Sequence, residues 1–316
     1  MISDPLLAPA LRSGDTIALV APSHPGDQQR IEAASQFLRH REYGVEVMAH
    51  SSGSYHYLAG RDSERASDLM RAFENPAIAA LFCVRGGYGS GRTLDLLDYD
   101  VIARHPKAVV GFSDSTALHL GLYARTGLVG FTGCLTDLDL ATDPPNPAKH
   151  FLHDALWPLL TIARPLGELP ISEELGVLRH GVAEGPLVPA NLAVLCSLMG
   201  TPFAPNLEGC ILLVEDVSEY PYRIDRMLTQ LRLAGVFSRI SGLALGDFTA
   251  CFEPEEMELS PTLEEIVEDA VGNRDLPILT GVPYGHLPRR LVLPIGGAAR
   301  MTTDPASLSM TAPTVR

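Results

Sequence analysis

The chain of 316 residues carries a formal net charge of −14, and 46% of its residues are hydrophobic. This length leaves room for two units that each bury a core. The acidic balance argues against a nucleic acid or an anionic membrane as partner, because such surfaces attract basic proteins. A small molecule or a peptide is therefore the partner that we expect.

The start of the chain has no basic segment ahead of an apolar one, and Pro5 and Pro9 interrupt its first apolar residues. This pattern does not predict a secretion signal, and no apolar run approaches the roughly 18 residues of a membrane span. We therefore expect a cytoplasmic protein that does not enter a membrane.

The cysteines are odd in number and widely spaced, and no two of them form a CxxC pair. They are Cys83, Cys134, Cys196, Cys210 and Cys251. Most lie inside apolar runs, where a cysteine usually behaves as a small hydrophobic residue. We expect structural thiols, and neither a bound metal nor a cofactor.

Short apolar segments alternate with amphipathic ones in the first half of the chain. Strands are predicted over 16–23, 44–49, 78–84, 107–112 and 128–133, and helices over 27–42, 61–75 and 115–127. Apolar strands that alternate with helices are typical of a parallel sheet covered on both faces. Such a sheet binds its ligands at the carboxyl ends of its strands.

The texture changes from about 140 to 175, where irregular stretches rich in proline surround a predicted helix over 151–160. We place a domain boundary there and predict one unit over 1–165 and another over 166–316. Helices are predicted in the second unit over 191–200, 223–235 and 262–273, and strands over 209–216, 240–248, 276–286 and 290–303.

A glycine-rich stretch, RGGYGSGR, follows the strand predicted over 78–84. Its glycines at 86, 87, 89 and 91 allow the backbone to approach a ligand and to direct N–H groups at an anion. The stretch matches neither a Walker loop nor a dinucleotide fingerprint. A phosphate cradle, an oxyanion loop and a plain tight turn all remain open for it.

The stretch GFSDST lies where a predicted strand becomes a helix. A serine held at such a turn can act as a nucleophile, and the helix start behind it offers N–H groups to an oxyanion. Only half of the G-x-S-x-G pattern is present, because Ser115 stands where the second glycine would follow Gly111 and Ser113. Taken alone, this stretch favours a helix cap.

A serine nucleophile needs a base and an acid that orients the base. His286 follows an apolar run in a predicted loop, whereas His119 lies one turn into a helix and is expected to pack there. Three acids near the end of the strand over 209–216 compete for the remaining role, and each is equally explained as a charge at a helix start. They are Glu215, Asp216 and Glu219.

Three blocks of the sequence, RGGYGSGR with GFSDST, LLVEDVSEYPYRIDRML, and GVPYGHLPRRLVLPIGG, resemble the LD-carboxypeptidase family of serine peptidases. That family includes murein tetrapeptide carboxypeptidases and microcin C immunity hydrolases. The resemblance implies a flavodoxin-like parallel-sheet N-terminal domain that supplies the nucleophile. It also implies a smaller, β-rich α/β C-terminal domain that supplies acid and base, an active site in the cleft between them, and a homodimer.

The resemblance implies a catalytic triad of Ser113, Glu215 and His286. It also implies an oxyanion hole made by the backbone N–H groups of Gly87 and Asp114. Capping of the following helix is then the role expected for the side chains of Asp114, Ser115 and Thr116.

The implied reaction releases the terminal D-alanine of a murein tetrapeptide during cell-wall recycling, without metal or cofactor. Arg85, beside Gly86 of the glycine stretch, is a candidate for binding the substrate, whereas Arg92 and Arg223 are equally explained as ion pairs. Alternatives are an immunity hydrolase that cleaves an amide of an adenylate-like compound, and a non-catalytic module that binds a phosphate or nucleotide.

The chain departs from the pattern of the family at two places. It has Pro189-Ala190 where relatives often have two glycines, and Thr132 where many have a histidine. Both places are expected to lie near the substrate.

Overall fold

The computed structural model describes residues 5–141, 147–171, 174–252 and 260–316. Within these ranges, fourteen strands form two sheets. Each sheet contains a group of parallel strands with helices packed against it, so the mixed α/β class expected from the sequence is confirmed.

The first sheet contains five parallel strands from the first half of the chain, in the order β5-β4-β3-β1-β2. They are β1 (Thr16–Val20), β2 (Gly44–Val47), β3 (Ile78–Cys83), β4 (Ala108–Gly111) and β5 (Gly130–Thr132). This is the strand order of flavodoxin-like folds. The accompanying helices are α1 (Gln28–His40), α2 (Asp62–Glu74), α3 (Tyr99–Arg104), α4 (Thr116–Thr126) and α5 (Pro147–Thr161).

The second sheet is mixed, with a parallel centre made by β8, β9, β10 and β11. Its strands are β6 (Gly167–Glu168), β7 (Gly176–Arg179), β8 (Val182–Asn191), β9 (Ile211–Val217), β10 (Gly242–Thr249), β11 (Ile278–Thr280), β13 (Gly297–Thr303) and β14 (Ala306–Met310). The helices that accompany it are α6 (Leu192–Leu198), α7 (Pro221–Leu233) and α8 (Leu263–Val271).

One more strand, β12 (Leu293–Ile295), does not join the second sheet. It pairs antiparallel with β5 and forms an edge of the first sheet. A segment from the second half of the chain therefore completes the sheet of the first half. The domain boundary after residue 165 stays a prediction, and residues 142–146 and 172–173 of the stretch around it lie outside the described residues.

The cysteines are buried and unbonded to one another, as expected of structural thiols. Burial raises the pKa of Cys83, in β3, to about 12, so this thiol stays protonated at neutral pH. No helix within the described ranges is long and apolar enough to cross a membrane.

Candidate active site

The turn after β4 holds Ser113 in a strained conformation. Its φ of 62° is in the left-handed region, which is uncommon for any residue but glycine. Gly111 makes the turn compact, because a Cβ there would lie 2.4 Å from Oγ of Ser115. The Ser115 hydroxyl itself donates to the carbonyl of Phe112 at 2.8 Å. The turn therefore presents a serine at the carboxyl edge of the first sheet without the second glycine of the G-x-S-x-G pattern.

The structure brings Ser113, His286 and Glu215 together. Oγ of Ser113 lies 3.1 Å from Nε2 of His286, and Nδ1 of His286 lies 2.7 Å from Oε2 of Glu215. The Glu215 side chain is fully buried near the end of β9, whereas that of His286 is 22% exposed. A hydroxyl, an imidazole and a buried carboxylate in this sequence can activate a nucleophile.

Two residues that the sequence did not single out as a pair hold Glu215 in place. The side-chain amide of Asn191 donates to Oε1 of Glu215 at 3.2 Å and to Oδ1 of Asp216 at 2.9 Å. The other carboxylate oxygen of Asp216 accepts the N–H of Ala193 near the start of α6. Burial raises the pKa of the Asp216 carboxyl to about 6. Of the competing acids, Glu215 is therefore the one bonded to His286, and Asp216 fixes the Asn191 amide that bonds to Glu215.

The third competing acid, Glu219, lies away from this chain of hydrogen bonds. Its carboxylate pairs with Arg223 at 3.4 Å on the first turn of α7. The pair accounts for both residues as a charged contact near the helix start.

The ring of His286 packs on the first sheet. Its centroid is 4.7 Å from that of Phe112, the residue before Ser113. Phe112 also meets the ring of Tyr284 edge-on at 5.8 Å, and the Tyr284 hydroxyl lies 2.9 Å from Oγ1 of Thr132. Burial raises the pKa of Tyr284 well above its usual value. These contacts join the first sheet to the loop after β11 that carries the base.

The two departures from the family pattern are buried in strands. Thr132 is fully buried and bonded to Tyr284, and Pro189 and Ala190 lie buried in β8. That these positions lie near the substrate stays a prediction. Thr132 pairs with Gly111, two residues before Ser113, and the residue after Ala190, Asn191, bonds to Glu215.

The glycine stretch lies directly beside the nucleophile. A Cβ on Gly86 would be 2.9 Å from Cβ of Ser113, and one on Gly87 would collide with the ring of His24. Gly87 has a φ of 104°, which only glycine adopts readily. In the described part of the chain, no hydrogen bond uses the N–H of Gly87. This N–H is therefore free to bind an oxyanion.

None of the side chains of Asp114, Ser115 and Thr116 caps the helix that follows. The carboxylate of Asp114 is buried and accepts hydrogen bonds from Ser23 and Ser90. The Thr116 hydroxyl is buried without a partner among the described residues. The expectation of capping is wrong, because the segment begins as a tight 3₁₀ turn, Ser113–Ser115, in which the Ser115 hydroxyl bonds to Phe112 and the Asp114 carboxylate to neighbouring loops.

The three arginines considered for the substrate differ in how they are held. Arg92 makes a bidentate ion pair with Asp62, and Arg223 is paired with Glu219. Arg85 has one longer contact, 3.4 Å to the buried carboxylate of Asp137, and its side chain is 40% exposed. Burial raises the pKa of Asp137, while the charge of Arg85 opposes that rise. Arg85 therefore has the most donors free for a ligand.

No group of three potential ligands that could hold a metal ion occurs within the residues that the structure describes.

Comparison with known proteins finds matches over most of the chain. The family models described as LD-carboxypeptidase N-terminal domain and LD-carboxypeptidase C-terminal domain match residues 17–133 and 184–301. The probable murein peptide carboxypeptidase of Bacillus subtilis is 36% identical over 93% of this chain and 91% of its own. The murein tetrapeptide carboxypeptidase of Pseudomonas aeruginosa is 33% identical over 90% of this chain and 92% of its own.

Among solved structures, the microcin C7 self immunity protein MccF superposes with a TM-score of 0.90 at 26% identity, covering 99% of this chain and all of that one. The two-sheet architecture is thus that of a solved protein over its whole length.

Proposed function

The chain belongs to the LD-carboxypeptidase family, and we propose that it is a serine carboxypeptidase that releases the terminal D-alanine of a murein tetrapeptide in cell-wall recycling. The observation that carries this proposal is the hydrogen-bonded chain from Ser113, which follows β4 of the first sheet, through His286 to Glu215, which lies in β9 of the second. The names of relatives at 33% and 36% identity support the substrate.

In the proposed mechanism, His286 takes the proton of the Ser113 hydroxyl while Oγ attacks the carbonyl carbon before the terminal D-alanine. Glu215 accepts a hydrogen bond from Nδ1 and stabilises the imidazolium that forms. When the tetrahedral intermediate collapses, the C–N bond breaks and His286 gives its proton to the leaving amine. Water then attacks the acyl-enzyme, losing a proton to His286, and the serine is regenerated.

The oxyanion is proposed to bind the backbone N–H groups of Gly87 and Asp114. The free N–H of Gly87 and the closeness of Gly86 to Ser113 support this assignment. Losing one such donor costs on the order of 100- to 1000-fold in rate. The glycine stretch is therefore expected to contribute to the rate, although less than the side chains of the triad do.

For the terminal carboxylate of the substrate we propose Arg85. Replacing it with methionine is expected to raise KM by roughly 10- to 100-fold, the effect of losing a hydrogen bond between charged groups, with little change in kcat. A tetrapeptide with a terminal amide should lose affinity for the wild type and lose none for Arg85→Met. Arg92→Met is the matched control, because its guanidinium is already held by Asp62. Equal KM values for Arg85→Met and the wild type would contradict the assignment.

The reaction itself is tested with L-Ala-D-Glu-meso-diaminopimelate-D-Ala, from which wild-type protein should release D-alanine and Ser113→Ala should not. The full-length structural match to MccF favours an aminoacyl sulfamoyl adenosine, which is an analogue of an aminoacyl adenylate, as the comparison substrate. Cleavage of that compound with the peptide untouched would support the immunity reaction instead. A serine that does not react with a fluorophosphonate, together with tight nucleotide binding, would support the non-catalytic alternative.

The family resemblance also suggests a cytoplasmic homodimer, which we include in the proposal. Light scattering coupled to gel filtration tests the dimer directly, and a mass of one chain would contradict it.

A further inference from the structure

One peptide group of the glycine stretch, between Gly89 and Ser90, is held at both ends by buried charged side chains. Its carbonyl accepts a hydrogen bond from Nη1 of Arg65 at 2.8 Å. Its N–H donates to Oδ2 of Asp114 at 2.8 Å. Arg65 and Asp114 therefore form hydrogen bonds with the same peptide group from opposite sides.

The arginine of this pair is fixed by several loops at once. Arg65 is 1% exposed, and its remaining N–H groups donate to the carbonyls of Pro22 and Gly60 and to the carboxylate of Asp62. Pro22 follows β1, Gly60 precedes α2, and Gly89 follows β3. Because the guanidinium is planar and rigid, it sets the spacing of these loops.

The aspartate of the pair is the residue after the nucleophile. Besides the Ser90 N–H, its carboxylate accepts the hydroxyl of Ser23 at 2.5 Å, and the Ser90 hydroxyl donates to the backbone carbonyl of Asp114, also at 2.5 Å. The glycine stretch is thereby fastened to the turn that carries Ser113. Hydrogen bonds to ionised groups are stronger than neutral ones.

The glycine stretch needs this restraint. Gly87 and Gly89 both have positive φ values, 104° and 129°, and glycine backbones lose the most conformational freedom when they are ordered. Without an external hold, the N–H of Gly87 would sample many orientations. An oxyanion donor acts only when it is already aimed at the developing charge.

We propose that Arg65 and Asp114 are positioning residues that clamp the 89–90 peptide and so hold the Gly87 N–H at the oxyanion position. This inference rests on the proposed serine chemistry and gives Arg65 and Asp114 a role for their side chains, which act through the backbone without touching the substrate. It does not depend on which peptide the enzyme cleaves.

The experiment measures how fast a fluorophosphonate labels Ser113, and also kcat and KM, in Arg65→Met, Arg65→Lys and Asp114→Asn. A displacement of about 1 Å at a reacting group costs about 100-fold in rate, so labelling and kcat should fall by about that factor in Arg65→Met, with KM nearly unchanged. In Arg65→Lys, the labelling rate and kcat should fall less, because the lysine ammonium group retains part of the contacts. Arg92 pairs with Asp62 as Arg65 does, but its side chain does not contact the 89–90 peptide. Arg92→Met should therefore be labelled at the wild-type rate.

Titration of active sites separates positioning from mere stability. Loss of stability lowers the number of serines that can be labelled, whereas loss of positioning lowers the rate for each serine. The affinity of a peptide boronic acid, whose boron replaces the scissile carbonyl, should fall together with kcat/KM. The affinity of the intact peptide for proteins that also carry Ser113→Ala should not change.

A folded Arg65→Met protein that is labelled at the wild-type rate overturns the clamp. If Arg65→Met does not fold, Asp114→Asn decides by the same measurement, since it removes the charge from the other end of the peptide. Wild-type protein that is labelled but releases no D-alanine contradicts the proposed substrate, and the labelling rates of the variants still judge the clamp.

Discussion

The nucleophile and its base are held by different forces. Around Ser113, ionised side chains such as Arg65 and Asp114 fasten loops that contain glycines. Around His286, a single hydrogen bond to Glu215 and packing on the ring of Phe112 set the orientation. The difference follows from the backbone, because Glu215 lies on a strand that is already rigid, whereas the glycine stretch must be ordered from outside.

The largest loss of activity is expected when either the nucleophile or its base is removed. Ser113→Ala and His286→Ala are each expected to lower kcat by about a million-fold, and the double variant should be no slower, because the two groups act as a unit. Release of D-alanine measured over days detects such low rates. Ser197→Ala is the control, since this exposed hydroxyl donates only to its own helix. Additive losses in the double variant would mean that the two residues act independently.

A smaller loss is expected when only the orientation of the base is disturbed. Glu215→Gln keeps the size of the side chain but turns it neutral, so that the imidazolium loses its stabilising charge. We expect kcat to fall by about 10,000-fold with the fold intact. The pH profile of kcat/KM checks the cause, because a destabilised imidazolium should move the acid-side fall in activity to lower pH if His286 still acts as the base. A Glu215→Gln variant as active as the wild type would remove Glu215 from the mechanism.

The two halves also respond to acid in opposite directions. Behind the nucleophile, the imidazole of His119 is buried with neither nitrogen bonded among the described residues, and burial lowers its pKa to about 3. The unfolded chain binds this proton more readily, so stability falls as the pH drops below about 6.5, by about 3 kcal/mol from pH 7 to pH 4. His119→Leu should abolish this loss in urea unfolding curves. A parallel pH dependence in variant and wild type would contradict it.

Behind the acid, Asp216 has the reverse effect. Its pKa is raised to about 6 by burial, so the folded chain binds this proton more readily and stability falls as the pH rises from 4 to 7, by about 2 kcal/mol. Asp216→Asn should remove this fall, which is seen most clearly when His119→Leu is already present. If the stability of the protein carrying both Asp216→Asn and His119→Leu still falls between pH 4 and pH 7, another group causes the fall.

The sequence predicted those parts of the fold that depend on local pattern. The strands of the first sheet alternate with helices in the expected order, and Ser113, Glu215 and His286 stand out because each follows an apolar segment. The strand β8 was not predicted, because Pro186 and Pro189 lie within it. Proline lacks the N–H that a central strand normally donates, and here the neighbouring strands pair with β8 despite this lack.

Other parts of the site could not be read from local pattern at all. Arg65 lies in a helix segment rich in charge, where an arginine is normally exposed. Its burial depends on the carbonyls of Pro22 and Gly89, which lie in distant loops. Asn191 and Asp216 resemble ordinary residues at a helix start and a strand end. Their roles arise only when β8 and β9 pair in the register that places Asn191 opposite Glu215.

The antiparallel pairing of β12 with β5 has a consequence for recombination. A gene crossover between the two family-model matches, residues 17–133 and 184–301, would inherit β5 from one parent and β12 from the other. In such a chimera, Leu293 from one parent would have to pair with Thr132 from the other. The hydrogen bond between Thr132 and Tyr284 would also have to form between the two parents. The halves of this enzyme are therefore not interchangeable modules, and shuffled libraries should place β12 with the parent that supplies β5.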